Sequence, residues 1–272
     1  MTETIASTQL YVWTQVLART GKSLDESWDT VLAEVKAAGY PAFEGFLDTF
    51  GSAESAAKLR SVLEKHALKL PSVYTGGNLY DPEKAPATVE GIITRARVAR
   101  DAGVRGITMN PDVLRERKTA DQLRTQAEWL NRLGAKLREL QVELWIHNHD
   151  PEMKEEGREL RYNLDHTDPR LVRFCADTHW IWRGGGDPYA YLEQYGDRLG
   201  NLHLRNSRNN VWSEELGEGD LDHRRIARIL KEKKFSGPLI VELAIEQGTP
   251  QTRPLVESQK ISRAYLKQVF GV

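Results

Sequence analysis

The chain has one cysteine, Cys175, in 272 residues, so no intrachain disulfide can staple it and its thiol suits a reducing compartment. Cys175 stands inside an apolar strand-like segment, which reads as a buried structural thiol and not as a nucleophile. No apolar run approaches the ~20 residues needed to span a bilayer. The opening residues, Met-Thr-Glu-Thr-Ile-Ala-Ser, lack the basic-then-apolar order of a signal peptide. The expectation is a cytoplasmic protein, with a trimmed leader left open. Charge of one sign is also lacking: 38 Lys+Arg against 39 Asp+Glu give a net charge of −1, which argues against nucleic acid as a partner. No G-x-G-x-x-G follows the first strand-like segment, and Gly217-Glu218-Gly219 falls in the wrong place for a dinucleotide loop. No linker or low-complexity tract divides the sequence, so residues 1–272 are expected to form one domain.

What is present is alternation of strand-like and helix-like segments about every 30 residues, the pattern of βα units on a parallel sheet. Strands are expected at 9–15, 41–46, 69–74, 104–109, 142–149, 171–178, 201–204 and 238–243. Helices are expected at 25–38 (capped near Ser23, stopped by Gly39), 53–66, 86–102, 120–140, 189–195, 222–233 and 254–269. Pro151 is expected to end the fifth strand. About eight such units in this length predict a single (β/α)8 TIM barrel, with an open doubly wound sheet as competitor.

Period two then sorts each strand into a helix-facing and an axis-facing side. Val142, Leu144 and Ile146 share one face of the fifth strand; Trp145, His147 and His149 share the other. By the same rule Asp177 and His179 point inward on the sixth strand, His203 and Arg205 on the seventh, and Glu242 on the eighth. Glu44 points inward on the second strand if Phe43 faces the helices. These polar residues lie at C-terminal strand ends, where barrels build active sites. A lone inward charge costs several kcal/mol to desolvate, so each needs a partner. A divalent cation would serve them all at once. The alternative is an internal salt-bridge network, with His203 on Asp177 and Arg205 on Glu242.

From Glu143 onward the chain resembles the xylose isomerase-like TIM-barrel superfamily of sugar phosphate isomerases and epimerases. The marks are Ile146-His147-Asn148-His149-Asp150-Pro151-Glu152, Cys175-Ala176-Asp177-Thr178-His179-Trp180, Asn201-Leu202-His203-Leu204 and Ile240-Val241-Glu242-Leu243. The resemblance implies one divalent metal ion, commonly manganese, magnesium, cobalt or zinc. Asp177, His203 and Glu242 match the family's ligands on the last three strands. For the fifth strand Glu152 is favoured, with His147 and His149 as substrate contacts or alternative ligands. Many relatives carry Asp-Thr-x-His where this chain puts Trp180 at the histidine position. That offers an aromatic wall for a sugar ring, with Trp145 behind it, and counts against the three-zinc abasic-site endonucleases. Glu44 and Arg205 complete the candidate substrate contacts. Relatives often pair as homodimers.

A metal that polarises a substrate carbonyl makes the adjacent carbon acidic, and a carboxylate can then take its proton. Glu242, with Glu152 or His147, is the candidate for that transfer. The first expectation is therefore a metal-dependent sugar isomerase or epimerase acting on a small carbohydrate. The second is a lyase, either a keto-sugar dehydratase or a keto-glycoside-cleaving enzyme. A third is a carbohydrate-binding barrel without chemistry.

Overall fold

The computed structural model describes residues 4–112, 114 and 117–272, so the first three residues of the opening segment lie outside the described residues. Eight parallel strands close into a barrel: β1 (Ile5–Gln9), β2 (Ala42–Phe46), β3 (Lys69–Gly77), β4 (Gly106–Pro111), β5 (Glu143–Ile146), β6 (Val172–Asp177), β7 (Leu199–Leu204) and β8 (Pro238–Val241). β1 pairs with both β2 and β8, which completes the ring. The open doubly wound sheet is thereby excluded. Among the described residues no helix is long and apolar enough to cross a membrane.

The helices follow from their caps and apolar stripes. α1 is Tyr11–Ala18 and α2 is Leu24–Ala37. Ser23 Oγ accepts from the Glu26 amide while Glu26 Oε2 accepts from the Ser23 amide at 2.9 Å, a reciprocal cap. Gly39, at φ +88°, takes the left-handed turn after it. α3 (Ala53–His66), α4 (Ala85–Asp101) and α5 (Ala120–Glu139) bury aliphatic stripes against the sheet. α6 (Asp150–Asp165), α7 (Thr178–Arg183), α8 (Pro188–Tyr195), α9 (His223–Glu232) and α10 (Leu255–Phe270) complete the outer layer.

Two expectations are corrected. The first strand is Ile5–Gln9, and residues 11–18 are helical. The strand Ile-Ala-Ser-Thr-Gln turns small and polar side chains inward, so it lacks the alternation that marks the others. Pro151 opens α6 within its first turn instead of simply ending β5. α6 escaped the periodicity reading because Glu155, Glu156 and Gly157 break it with φ of 53°, 60° and 78°.

The floor of the barrel is plugged by Trp145. A Cβ on Gly106 would lie 2.1 Å from its Cη2, and one on Gly200 2.3 Å from its Cδ1. The β6–β7 register slips between Phe174–Leu199 and Cys175–Asn201, a bulge at Gly200 that opens room for the indole. Trp145 Nε1 donates to Glu143 Oε2 at 2.8 Å, and Arg173 Nη1 reaches the same oxygen at 2.9 Å. With its polar end satisfied, the ring is a dry plug.

Candidate active site

At the opposite end, four inward side chains converge. His147 follows β5, Asp177 ends β6, His203 lies on β7 and Glu242 follows β8, and their donor atoms all lie within 4.8 Å of one another. His147 Nε2 is 3.0 Å from His203 Nδ1, which is 2.8 Å from Glu242 Oε2. His147 Nε2 is also 3.7 Å from Asp177 Oδ2. Arg205 Nη2 donates to Asp177 Oδ2 at 2.6 Å and also to Glu242 Oε2. All five residues are buried.

The neighbours set the charge states. Burial opposes ionisation of Asp177, but Arg205 and then His147 hold its carboxyl well below the usual range. Burial likewise opposes charge on Glu242, and Arg205 and His203 overcome it, taking its pKa to about 2. On His203, burial disfavours the imidazolium, yet the Cys175, Glu44 and Glu242 side chains raise its pKa well above the ordinary value. The Cys175 thiol is itself pushed up to about 12 by burial, so the two carboxylates are the charges that act. Burial lowers the pKa of His147, and takes that of His149 to about 3, so His149 is neutral.

The tautomer of His147 is fixed from outside the cluster. Asn110 Oδ1 lies 2.7 Å from His147 Nδ1 and also accepts from Tyr74 Oη at 2.9 Å, while Asn110 Nδ2 donates to the His147 carbonyl at 3.3 Å. The ring proton therefore sits on Nδ1, and the Nε2 lone pair faces the cluster. Two ionised carboxylates, the His147 lone pair and the His203 ring, whose Nδ1 proton a cation would displace, make a mixed nitrogen and oxygen donor set, which suits a divalent first-row ion such as manganese, cobalt or zinc. These residues fit a cation chemically. An ion held by both carboxylates would share them with Arg205.

A cavity of about 280 Å³ opens over Glu242 and Arg205. Tyr11, Phe46, Tyr74, Trp180, Trp212 and Ile245 form its apolar walls; Gln9, Gln15 and His149 add polar edges. Trp180 and Trp212 meet edge to face at 5.4 Å, and the Arg205 guanidinium lies 4.9 Å from the Trp212 ring centroid. Clefts of about 420 and 530 Å³ lie between helices near Thr4 and Leu239, and near Lys69 and Pro71, at strand starts away from this chemistry.

Residues 32–267 match the family model of the xylose isomerase-like TIM barrel. The chain belongs to that family. It is similar to an inosose dehydratase of Geobacillus kaustophilus (strain HTA426), with 28% identity over 275 aligned positions covering 89% of this chain and 87% of the relative. Among solved structures, a sugar phosphate isomerase/epimerase from Parabacteroides distasonis superposes with a TM-score of 0.77 at 21% identity, covering 98% of this chain and 94% of the other. D-psicose 3-epimerase with D-tagatose, from Clostridium cellulolyticum H10, gives a TM-score of 0.79 at 13% identity, covering 98% and 99%.

Within this xylose isomerase-like barrel, the structure brings Asp177, His203 and Glu242 together as the strand pattern predicts. It does not bring Glu152 to them, and His147 takes the fifth-strand place. The physical reason is local: β5 gives way to α6 within four residues, and Glu152 Oε2 accepts from the His149 amide at 2.8 Å. Its other oxygen is buried without a partner, and burial, with Glu159 nearby, raises its pKa. Trp145 is in the floor and does not back Trp180. Glu44 is fully buried beneath His203 and lines no part of the cavity. His149, Trp180 and Arg205 do line it. His179 leaves the inward face because Asp177 caps α7, accepting from the His179 and Trp180 amides at 3.0 and 2.9 Å. Its ring is buried between Ser207 Oγ, 2.9 Å from Nε2, and the Trp212 indole, whose Nε1 donates to Nδ1 at 3.3 Å.

Sequence reasoning missed Trp212, Tyr74, Phe46 and Asn110. Tyr74 and Phe46 share inward parity with Glu44 and could have been found from it. Trp212 stands in a short hairpin of Ser207–Arg208 with Val211–Trp212, too brief for any periodicity to reveal.

Proposed function

We propose that this protein removes a proton from the carbon beside the carbonyl of a small keto-sugar or keto-cyclitol, and that loss of water from the next carbon completes the reaction. The observation that carries this reading is Glu242, an ionised carboxylate at the edge of an aromatic-walled cavity with the four-donor cluster directly behind it. His147, Asp177, His203 and Glu242 would hold a divalent ion. Such an ion supplies Lewis acidity toward a carbonyl, which lowers the acidity barrier of the adjacent carbon.

The residues themselves do the rest. Glu242 is ionised throughout the neutral range, so it is always in the state that accepts a proton. Its low basicity requires an acidified substrate, which is why the cation reading and the base assignment support each other. Trp180 and Trp212 line the cavity with aromatic surface, and its volume of about 280 Å³ suits a single ring. Arg205 is already shared by two carboxylates, so the mouth has little to offer a phosphate. That favours an uncharged substrate.

Elimination needs one base and a departing hydroxyl, whereas epimerisation needs proton transfer at both faces of a planar intermediate. Among the described residues Glu242 is the one carboxylate lining the cavity, because Asp177 is enclosed and Glu152 is turned away. The similarity to an inosose dehydratase over most of both chains supports the same choice. Isomerase or epimerase activity is the second reading, favoured by the neutral imidazole of His149, which faces the same cavity and can hand a proton back.

The deciding experiment incubates the metal-loaded protein with inososes and ketohexoses in D2O. Dehydration is expected to give an enone or diketone absorbing in the ultraviolet, with deuterium where a proton returns. A ketohexose turned over without loss of water replaces elimination by the second reading. Product without exchange, without a rate effect for substrate deuterated beside the carbonyl, and without label movement rejects proton abstraction altogether.

A further inference from the structure

Two glutamines edge the cavity, and their side chains are held differently. Gln15 on α1 is closed at both ends: its Nε2 donates to the Ile245 carbonyl at 2.9 Å, and its Oε1 accepts from the Ile245 amide at 2.8 Å. Gln9, the last residue of β1, is closed at one end. Its Oε1 accepts from the Tyr11 amide, an N–H that the first turn of α1 leaves without a partner inside the helix. A backbone N–H meets only an acceptor, so this bond fixes which way the side-chain amide is turned. Nε2 is the remaining end, and no protein acceptor meets it among the described residues. Gln9 is only 2% exposed, so the cavity it lines is the space open to that donor. A donor left unpaired in such a wall is costly until something accepts from it.

Strand register places Gln9 against the chemistry. Thr8 turns outward to α10, where its Oγ1 donates to Gln259 Oε1 at 3.3 Å, so Gln9 has the inward parity. Thr8 pairs with Val241, which sets Gln9 and Glu242 side by side one residue further on. β7, carrying His203, lies on the other side of β8. Glu242 therefore stands between the Gln9 amide and the three other members of the cluster.

We infer that Gln9 is a substrate-binding residue that selects for a hydroxyl on the side of the substrate ring away from the carbonyl. With the carbonyl toward the cluster and the acidic carbon at Glu242, the next substituent in that direction falls against Gln9. Because Oε1 is taken, Gln9 offers a donor only. A hydroxyl oxygen accepts from it, whereas a methylene in that place leaves Nε2 unpaired, and the site discriminates by that cost. Gln9 donates a hydrogen bond and moves no proton. This inference rests on the keto-sugar or keto-cyclitol reading proposed above.

The test pairs variants with substrate analogues. Metal-loaded full-length wild type and Gln9→Met are assayed with an inosose and a ketohexose, and with the monodeoxy forms of whichever is turned over. At one deoxy position the wild type is expected to lose roughly tenfold in kcat/KM, mostly through KM, as for an uncharged hydrogen bond. Gln9→Met should lose the same with the parent sugar and nothing further with that analogue, so the two losses do not add. Gln9→Asn covers poor folding of the methionine variant. An asparagine there can still accept from the amide two residues on, while its shorter side chain withdraws the donor, so the same pattern is expected at retained stability. Additive losses at every deoxy position, or a parent KM unchanged in both variants, overturn the inference. A second readout does not need turnover: the 15N–1H signals of the Gln9 side-chain amide, assigned by their loss in Gln9→Met, should shift when either sugar is added. A shift without turnover rejects the proposed reaction and keeps Gln9 as a sugar contact. Turnover without a shift keeps the reaction and rejects the role of Gln9, and the absence of both rejects both.

Discussion

Trp145 on β5 and His147 just past its end are two residues apart, face the same axis and are both fully buried, yet they do opposite work. At the floor, glycines on both flanking sides make room for an indole whose single polar atom is satisfied. At the mouth, His147 enters a cluster of charges whose partners reach across from three other strands. The difference teaches that inward parity selects the residues of a barrel interior, while depth along the strand decides whether they seal it or react. The floor stores stability in packing. The mouth stores it in mutual neutralisation, and in doing so keeps charged groups where water has been excluded.

Each end can be broken separately. The largest expected effect is on chemistry: Glu242→Gln should lower turnover by ~10²–10⁴-fold, the usual cost of losing a general base, while the protein still folds at reduced stability, because Arg205 and His203 lose a charged partner. Loss of folding in step with activity would move Glu242 from the chemistry to the scaffold. At the floor the order should reverse. Trp145→Ala removes a buried aromatic and should cost ~3–5 kcal/mol in denaturant unfolding, while turnover per folded molecule persists. A matching collapse of turnover would tie the floor to the site. Between these lies Arg205→Met, which leaves Asp177 and Glu242 facing each other unneutralised. A loss of ~3–5 kcal/mol is expected for breaking such a buried arrangement, with part of it recovered by saturating zinc; no recovery would argue that no ion replaces the guanidinium.

Acid should weaken the folded state more gradually. Burial takes the pKa of His149 and His179 to about 3 and of His223 to about 4, from 6.5. A histidine with a depressed pKa binds its proton more readily when unfolded, so its stabilising contribution is present above about 6.5 and is lost as pH falls toward the folded value. Asp177 and Glu242, also depressed, add to the loss at the acid end of that window. His223 packs against the Tyr265 and Phe270 rings, near the Arg205 backbone, and lines no part of the cavity. His223→Phe should therefore flatten the stability profile between about pH 6.5 and 4 without moving the pH profile of activity. The smallest effect is expected for Trp180→Phe, a rise of a few-fold in KM with zinc content unchanged; an unchanged KM with lower stability would assign Trp180 to packing.

Much of the site was legible because period two is a property of the backbone itself. It turned His147, Asp177, His203, Arg205 and Glu242 inward before any contact was known, and strand-end position pointed them to the reactive face. Asp177 also shows the limit of the rule. Its carboxylate caps α7, so the chain leaves the strand there and His179 no longer follows the alternation. Glu152 fails for a related reason, since its place in the first turn of α6 matters more than its distance from His149 in sequence. Trp212 could not be found at all, because a hairpin of two-residue strands carries no period.

What the sequence determined by itself was the alternation of elements, hence the barrel, and the chemical identity of the groups on its axis. Both depend on interactions between near neighbours along the chain, which local composition records. Only the tertiary structure decided which of those groups meet, that Glu44 sits under His203, that Arg205 bridges Asp177 and Glu242, and that Trp145 is a plug. Those outcomes depend on register, bulges and depth between strands distant in sequence, and a one-residue slip at Gly200 changes them without altering a single local preference.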